Sequence, residues 1–329
     1  MFWLPENEDV KKRYIEGVGR EVKKQLEKEQ KKKNTRLCKA VLTAMLDDKS
    51  EFYYEKILGL KPDEMMDFYH KWRHQFPCNH ANGVSIYGTV SDYQLDGKTK
   101  LSRLLKKCFS YQKFSDKDST WEWNAYRLGK ELGVEVCPYC GRQFIHTVIT
   151  AGKKGASVDV KLIRAEFDHY IPKAKFPMFA LSFYNLIPSC HFCNSSIKNT
   201  RELSTQLHIH PYRKTDAKAT FKYHTATNEI TLEYEDDVDK RLENTCDFFR
   251  LEDIYQCHIG IAEQYYQEAQ EFSTGLLEEY QTFLENNLDR KVSKREIFLH
   301  KFRISDDTEN EILGKLRMDL VEGIIEKYR

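Results

Sequence analysis

Cys137-Pro138-Tyr139-Cys140-Gly141 and, 49 residues further on, Cys190-His191-Phe192-Cys193-Asn194 decide how the centre of this chain folds. Each Cys-x2-Cys pair sets two thiolates on one tight turn. Two such turns facing each other make the tetrahedral four-sulfur site that zinc takes. Gly141 suits the backbone conformation that a turn of this kind needs. A dithiol redox motif expects a different strand–helix setting. His191 lies between two ligands and could compete as one; it is read here as an exposed residue of the turn. Four thiolates close the coordination shell, so the zinc is expected to fold and staple the segment, not to catalyse.

Working outward, the remaining cysteines (Cys38, Cys78, Cys108, Cys246 and Cys257) have no partner spacing and read as buried thiols. Nine cysteines is an odd count, and the opening residues turn charged at Glu6, which argues against a secretory leader and a disulfide framework. No apolar run approaches the roughly 18 residues of a membrane span. The expectation is a cytoplasmic protein with no membrane partner. The 329 residues, 40% hydrophobic and 31% charged, describe a globular chain with one large core or a few smaller ones. Lys and Arg number 52 against 51 Asp and Glu, so a polyanionic partner would have to be met by local patches.

The flanks read as mostly helical. Residues 9 to 35 are dense in Lys, Arg and Glu and predict an exposed helix ending at Lys31-Lys32-Lys33, either a solvated face or a phosphate-tracking arm. Val41, Leu42, Met45, Leu46, Ile57 and Leu58 recur at helical spacing, as do the apolar residues of 101–132, with Trp121, Trp123 and Tyr126 expected in the core. Val84 to Val90 favours a short strand or a loop. Period-two alternation in 220–224 and 230–234 around Thr227-Asn228 predicts a β-hairpin. Helices follow, the last beginning at a Thr308-x-x-Glu311 capping box. His208 and His210 alternate as at a strand end and read as structural. The fold class expected is mainly α with a small metal-bound module and a short hairpin (α+β). Its parts are a helical domain over 1–130, the module over 131–212, and the hairpin with helices over 213–329.

Between the cysteine pairs stand Phe167-Asp168-His169-Tyr170-Ile171-Pro172-Lys173 and Tyr184-Asn185-Leu186-Ile187-Pro188-Ser189, and after Cys193 comes Asn194-Ser195-Ser196-Ile197-Lys198. Over about 65 residues this order resembles the HNH nucleases, whose ββα-metal motif runs Asp-His, Asn-Leu, then Cys-x-x-Cys-Asn or His with a nearby Lys. The resemblance implies a phosphodiesterase. His169 is its general base, since a neutral imidazole takes a proton from water near pH 7. Asp168 and Asn194 offer the oxygen ligands that Mg²⁺ or Mn²⁺ prefers. On a strand, Asp168 and His169 point to opposite sides, so one can hold a metal while the other addresses water. Asn185 is the middle Asn, orienting the His169 imidazole by its side-chain carbonyl or bracing the loop by its backbone. Lys198, with Lys173 and Arg201 as further candidates, is placed to meet phosphate.

Two departures mark this chain. Residues 174–183 carry Phe176-Pro177-Met178-Phe179 where many HNH motifs have a Gly-rich loop, so the loop is expected to pack against the helices. The ligand position after Cys193 is Asn194 and not His, which turns the metal expectation toward Mg²⁺ or Mn²⁺. Embedded zinc-bearing modules of this kind occur in bacterial antiviral systems, including Septu-type systems in which the nuclease pairs with an ATPase. The resemblance therefore implies a DNA substrate and an ATPase partner. The chain itself has no Walker-type phosphate loop. The alternative is a non-catalytic zinc module that binds nucleic acid or protein; it would keep the four cysteines without needing Asp168, His169 and Asn194 together. A zinc deaminase would need a His-x-Glu ahead of Pro-Cys-x-x-Cys, which is absent.

Overall fold

Among the described residues up to 132 the helices are α1 (Glu8–Gln30), α2 (Arg36–Leu46), α3 (Tyr54–Gly59), α4 (Pro62–Gln75), α5 (Lys100–Cys108), α6 (Tyr111–Ser115) and α7 (Ala125–Leu132). The computed structural model describes the chain except for residues 1–2, 77–82, 85–89, 92–98, 151–159, 272–273, 306–307, 309 and 328–329. Most of the Val84–Val90 stretch and Cys78 thus fall outside the described residues; within it β1 (Gly83–Val84) pairs with β2 (Val90–Ser91). Two further antiparallel pairs follow, β3 (Val148–Thr150) with β4 (Val160–Ile163) and β5 (Glu166–His169) with β6 (Leu186–Ser189). A helical segment, Phe192–Lys198, comes directly after β6. These elements, Leu4–Glu135 with Ile145–Arg213, make one compact unit.

Residues 4–130 of the expected helical domain and 145–212 of the expected module fall within this one unit. The helix expected to be exposed, α1, also buries a full stripe, since Val10, Tyr14, Val18, Val22 and Leu26 recur every four residues. Its first turn is capped by the Asn7 side chain, which accepts from the Val10 amide at 3.0 Å. Lys31 to Lys33 are exposed, and Lys32 pairs with Glu29. Trp123 and Tyr126 are buried as expected, while Trp121 is half-buried. The aromatic loop packs inward as expected: Phe179 meets Phe68, and Phe176 meets Tyr69, both on α4.

The second unit gathers Val136–Phe144 with Lys214 onward. Its hairpin is the expected one, β7 (Lys218–His224) against β8 (Glu229–Glu235), with Phe221 opposite Leu232. Helices α8 (Arg241–Phe248), α9 (Leu251–Tyr255), α10 (Ile259–Gln270), α11 (Thr274–Leu288), α12 (Lys294–Lys301) and α13 (Gly314–Lys327) complete it. Phe221, Ile230, Tyr255, Phe298, Leu316, Leu320 and Ile324 share its core. The last helix begins at Gly314 and not at Thr308. No helix among the described residues is long and apolar enough to cross a membrane.

Candidate functional site

Four thiols form the first feature. Cys137, Cys140, Cys190 and Cys193 are buried and undisulfided, and their sulfurs all lie within 4.8 Å of one another. Four sulfurs around a tetrahedral zinc, each at about 2.3 Å, stand about 3.8 Å apart. The set can therefore hold a metal ion such as zinc. The Cys137–Cys140 turn is closed by Gly141, whose amide donates to the Cys137 carbonyl at 2.8 Å with φ at 63°, the left-handed region that favours glycine. Around it Tyr139 stacks on Phe249, and the Tyr255 hydroxyl donates to the Cys140 carbonyl at 2.7 Å. In the other pair the Cys193 amide points at the Cys190 sulfur, 3.4 Å away. Such a donor stabilises a thiolate. Cys38, Cys108 and Cys246 are buried thiols as expected, whereas Cys257 is exposed.

The second feature is a cleft of about 500 Å³ lined by Tyr111, Glu166, Asp168, His169, Lys173, Asn194, Lys198 and Arg201, among others. Antiparallel pairing sets Asp168 opposite Ile187 and His169 opposite Leu186. Consecutive residues on β5 then face opposite ways, and their partners bear this out. Asp168 receives the Lys198 ammonium at 2.8 Å. His169 instead meets Ala180, Tyr111 and Lys173.

His169 Nε2 lies 3.0 Å from the Ala180 carbonyl. A carbonyl only accepts, so Nε2 carries the hydrogen and Nδ1 keeps its lone pair. On the Nδ1 side the Lys173 ammonium stands 3.4 Å away. Burial, and then the positive charge of Lys173, hold the imidazolium form well below the usual histidine range, so the ring is neutral. Burial also lowers Lys173, whose ammonium sits 4.9 Å over the Tyr111 ring, and pushes the Tyr111 phenol up to about 12.

Asn185 does not touch the imidazole. Its side chain is fully buried and clamps the loop. Oδ1 accepts from the Ile171 amide at 2.7 Å, and Nδ2 donates to the carbonyls of Ile171 and Phe179 at 3.0 Å each. Its backbone braces the loop as expected, the carbonyl accepting from the Tyr170 amide at 3.1 Å and the amide donating to the Ser182 carbonyl at 3.0 Å, and the side-chain amide group adds to it. Lys198 is likewise not turned to the open cleft: at 3% exposure its ammonium is held by Asp168 and, at 2.9 Å, by the His169 carbonyl. The Phe192–Lys198 segment explains this, since it is wound with a wider turn in which the Asn199 amide reaches the Asn194 carbonyl five residues back. Arg201 curls onto the Ile197 carbonyl, at 2.7 Å from Nη2. Lys173 remains as the cation beside the imidazole.

Glu166 and Tyr111 belong to the site although nothing in the motif named them. Glu166 accepts from Asn194 Nδ2 at 2.8 Å and Ser195 Oγ at 3.1 Å, and pairs with His191 Nδ1 at 2.8 Å. Its position two residues before Asp168 is the signal that could have found it, because period two puts both carboxylates on one side of β5. Tyr111 lies on a distant helix and leaves no local signal. His210 is buried and His208 half-buried, both off any strand, and their Nδ1 atoms accept the amides of Ser204 and Tyr212 at 3.2 Å each, a structural role.

With Asp168, Glu166 and Glu202 against Arg164, Lys173, Lys175, Lys198 and Arg201, the cleft lining carries three carboxylates and five cations. That balance suits an anionic ligand. Asp168 and Asn194 bring a carboxylate and an amide group to one cleft, and Asp168 already faces a cation. The donor set therefore fits a hard cation by its chemistry. No family model matches the chain, and neither a curated protein nor a solved structure matches it.

Proposed function

We propose that this chain is an HNH-type endonuclease that hydrolyses phosphodiester bonds of DNA with a divalent metal. The observation that carries this reading is the fixed tautomer of His169: Nε2–H is committed to Ala180, so the basic Nδ1 faces a cation-rich cleft beside an oxygen donor pair. His169 takes the proton of the attacking water at Nδ1, and burial keeps the ring free of a proton beforehand. Lys173 draws the scissile phosphate toward the imidazole and neutralises part of its charge. Asp168 and Asn194 would hold Mg²⁺ or Mn²⁺, which when bound supplies Lewis-acid stabilisation of the phosphate and the leaving oxygen. Asn185 fixes the loop that carries Lys173, and the four cysteines hold a structural zinc that lies outside the chemistry.

On the strength of the resemblance alone, the proposal extends to an effector of bacterial antiphage defence that works with a partner ATPase. The decisive experiment incubates supercoiled plasmid with the purified zinc-loaded chain and Mg²⁺ or Mn²⁺. Nicking or linearisation is expected, and His169→Ala should lower the rate by about 10²- to 10⁴-fold with zinc content unchanged. Cutting retained by that variant overturns the assigned base. DNA binding without cutting, in the presence and absence of the ATPase, returns the chain to a non-catalytic zinc module.

A further inference from the structure

We propose that Lys198 is a resident counter-cation that guards Asp168, so that a divalent ion gains the carboxylate only by displacing its ammonium. This rests on Asp168 being a metal ligand, as argued above. The ammonium is 2.8 Å from Asp168 Oδ1 and 2.9 Å from the His169 carbonyl, with lysine and aspartate at 3% and 2% exposure. A charge buried that deeply stays where its partner is, and a dication placed on the same carboxylate meets like charge in a medium that screens poorly. The two cannot share the site at full affinity.

Strand β5 and the Phe192–Lys198 segment are matched in two rungs. Glu166 holds Asn194 and Ser195, and Asp168 holds Lys198: two residues apart on β5, four apart on the helix. The Glu166 rung fixes Asn194. The Asp168 rung depends on the wide winding of Phe192–Lys198, closed by the Asn199 amide on the Asn194 carbonyl at 2.9 Å. Wide turns of this kind concentrate at functional sites, and rewinding one to the ordinary pitch moves the side chain beyond it. An entering phosphate offers the released ammonium an alternative anion in the same cleft. Lys198 then exchanges Asp168 for substrate as the metal arrives, which couples metal loading to the presence of nucleic acid.

The test measures Mn²⁺ binding to the full zinc-loaded chain by the electron paramagnetic resonance of free Mn²⁺, without DNA. Lys198→Met and Lys198→Gln should bind Mn²⁺ about tenfold tighter or more than the unmodified protein, the scale set by one relieved like-charge contact. Zinc content and near-ultraviolet circular dichroism report whether each variant is folded, and the glutamine keeps a donor for Asp168 if the methionine does not fold. Affinity that is unchanged or weaker in a folded variant overturns the guard. In the unmodified protein, the buried lysine ammonium should give a protected ¹H–¹⁵N signal that Mg²⁺ saturation shifts or removes. A signal unmoved at saturation overturns it too. Plasmid cutting with unchanged Mn²⁺ affinity in the variants sinks this inference alone, whereas absent Mn²⁺ binding together with absent cutting sinks the nuclease reading with it.

Discussion

Replacing Asn185 by Ala tests how the site is held. The side chain is fully buried and makes three hydrogen bonds of 2.7, 3.0 and 3.0 Å to Ile171 and Phe179. The substitution strands one amide and two carbonyls at a position closed to solvent. At about 1–2 kcal/mol for each buried group left unpaired, the loss of stability should be about 3–6 kcal/mol. That is a large share of the about 5–15 kcal/mol that a folded domain possesses. Urea unfolding followed by tryptophan fluorescence measures it, since Trp72, Trp121 and Trp123 all lie in the same unit as Asn185. Asn185→Asp is the control: it keeps the shape but turns an acceptor on two carbonyls. Its deficit relative to the unmodified protein should be similar at pH 7 and should shrink on acidification, as the protonated acid regains a donor. A loss below about 1 kcal/mol for the alanine variant, with an unchanged denaturant slope, would refute the clamp and return the bracing to the backbone.

Acid should weaken this unit through buried histidines, of which His210 is the clearest: burial lowers it from 6.5 to about 3. The unfolded chain then binds the extra proton first, so its contribution is complete above pH 6.5 and is lost as pH falls from there toward 3. Between pH 7 and 4.5 the unmodified protein should lose about 3 kcal/mol more than His210→Phe, and equal losses in two urea series would disprove this assignment. Cys193→Ser should lower bound zinc and abolish the near-ultraviolet signal of the fold, whereas full zinc content in the variant would show that another atom is the ligand. Gly17→Ala should destabilise by about 1–3 kcal/mol, because its Cβ would stand 2.1 Å from Trp123 Cδ1 against a buried ring. A melting temperature unchanged in that variant would mean the ring moves freely.

Much of the site was legible because it is local. Two Cys-x2-Cys turns, and strand and turn residues in order between them, state their own geometry, as does the period-two hairpin of β7 and β8. What escaped depends on distance. α1 is so rich in Lys and Glu that composition hides its buried stripe, although Val10, Tyr14, Val18, Val22 and Leu26 repeat every four residues. The Ala180 carbonyl that sets the His169 tautomer is a backbone atom, invisible to any reading of side chains. Lys198, expected to meet phosphate, is held by Asp168 in a segment whose wide winding no side-chain pattern announces. Tyr111 reaches the imidazole only because α6 packs there.

These misses explain why the cleft is accompanied by so much helix. The acceptor of His169 Nε2–H lies in a loop whose regular structure amounts to two single 3-10 turns, Pro177–Phe179 and Phe183–Asn185, and such a loop left in water would not hold one carbonyl at 3.0 Å. The helices hold it. The Tyr14 hydroxyl of α1 donates to the Leu181 carbonyl at 2.8 Å, and Ser182 Oγ donates to the Ile57 carbonyl of α3 at 2.7 Å. Phe176 and Phe179 are seated on the Tyr69 and Phe68 rings of α4. Ala180 lies between these anchors, one residue before Leu181 and one after Phe179, so its carbonyl is fixed from both sides. The amino-terminal helices therefore reach His169 through this backbone oxygen as well as through the Tyr111 ring of α6. Phenylalanines stand in this loop because a glycine-rich segment would have nothing with which to grip them.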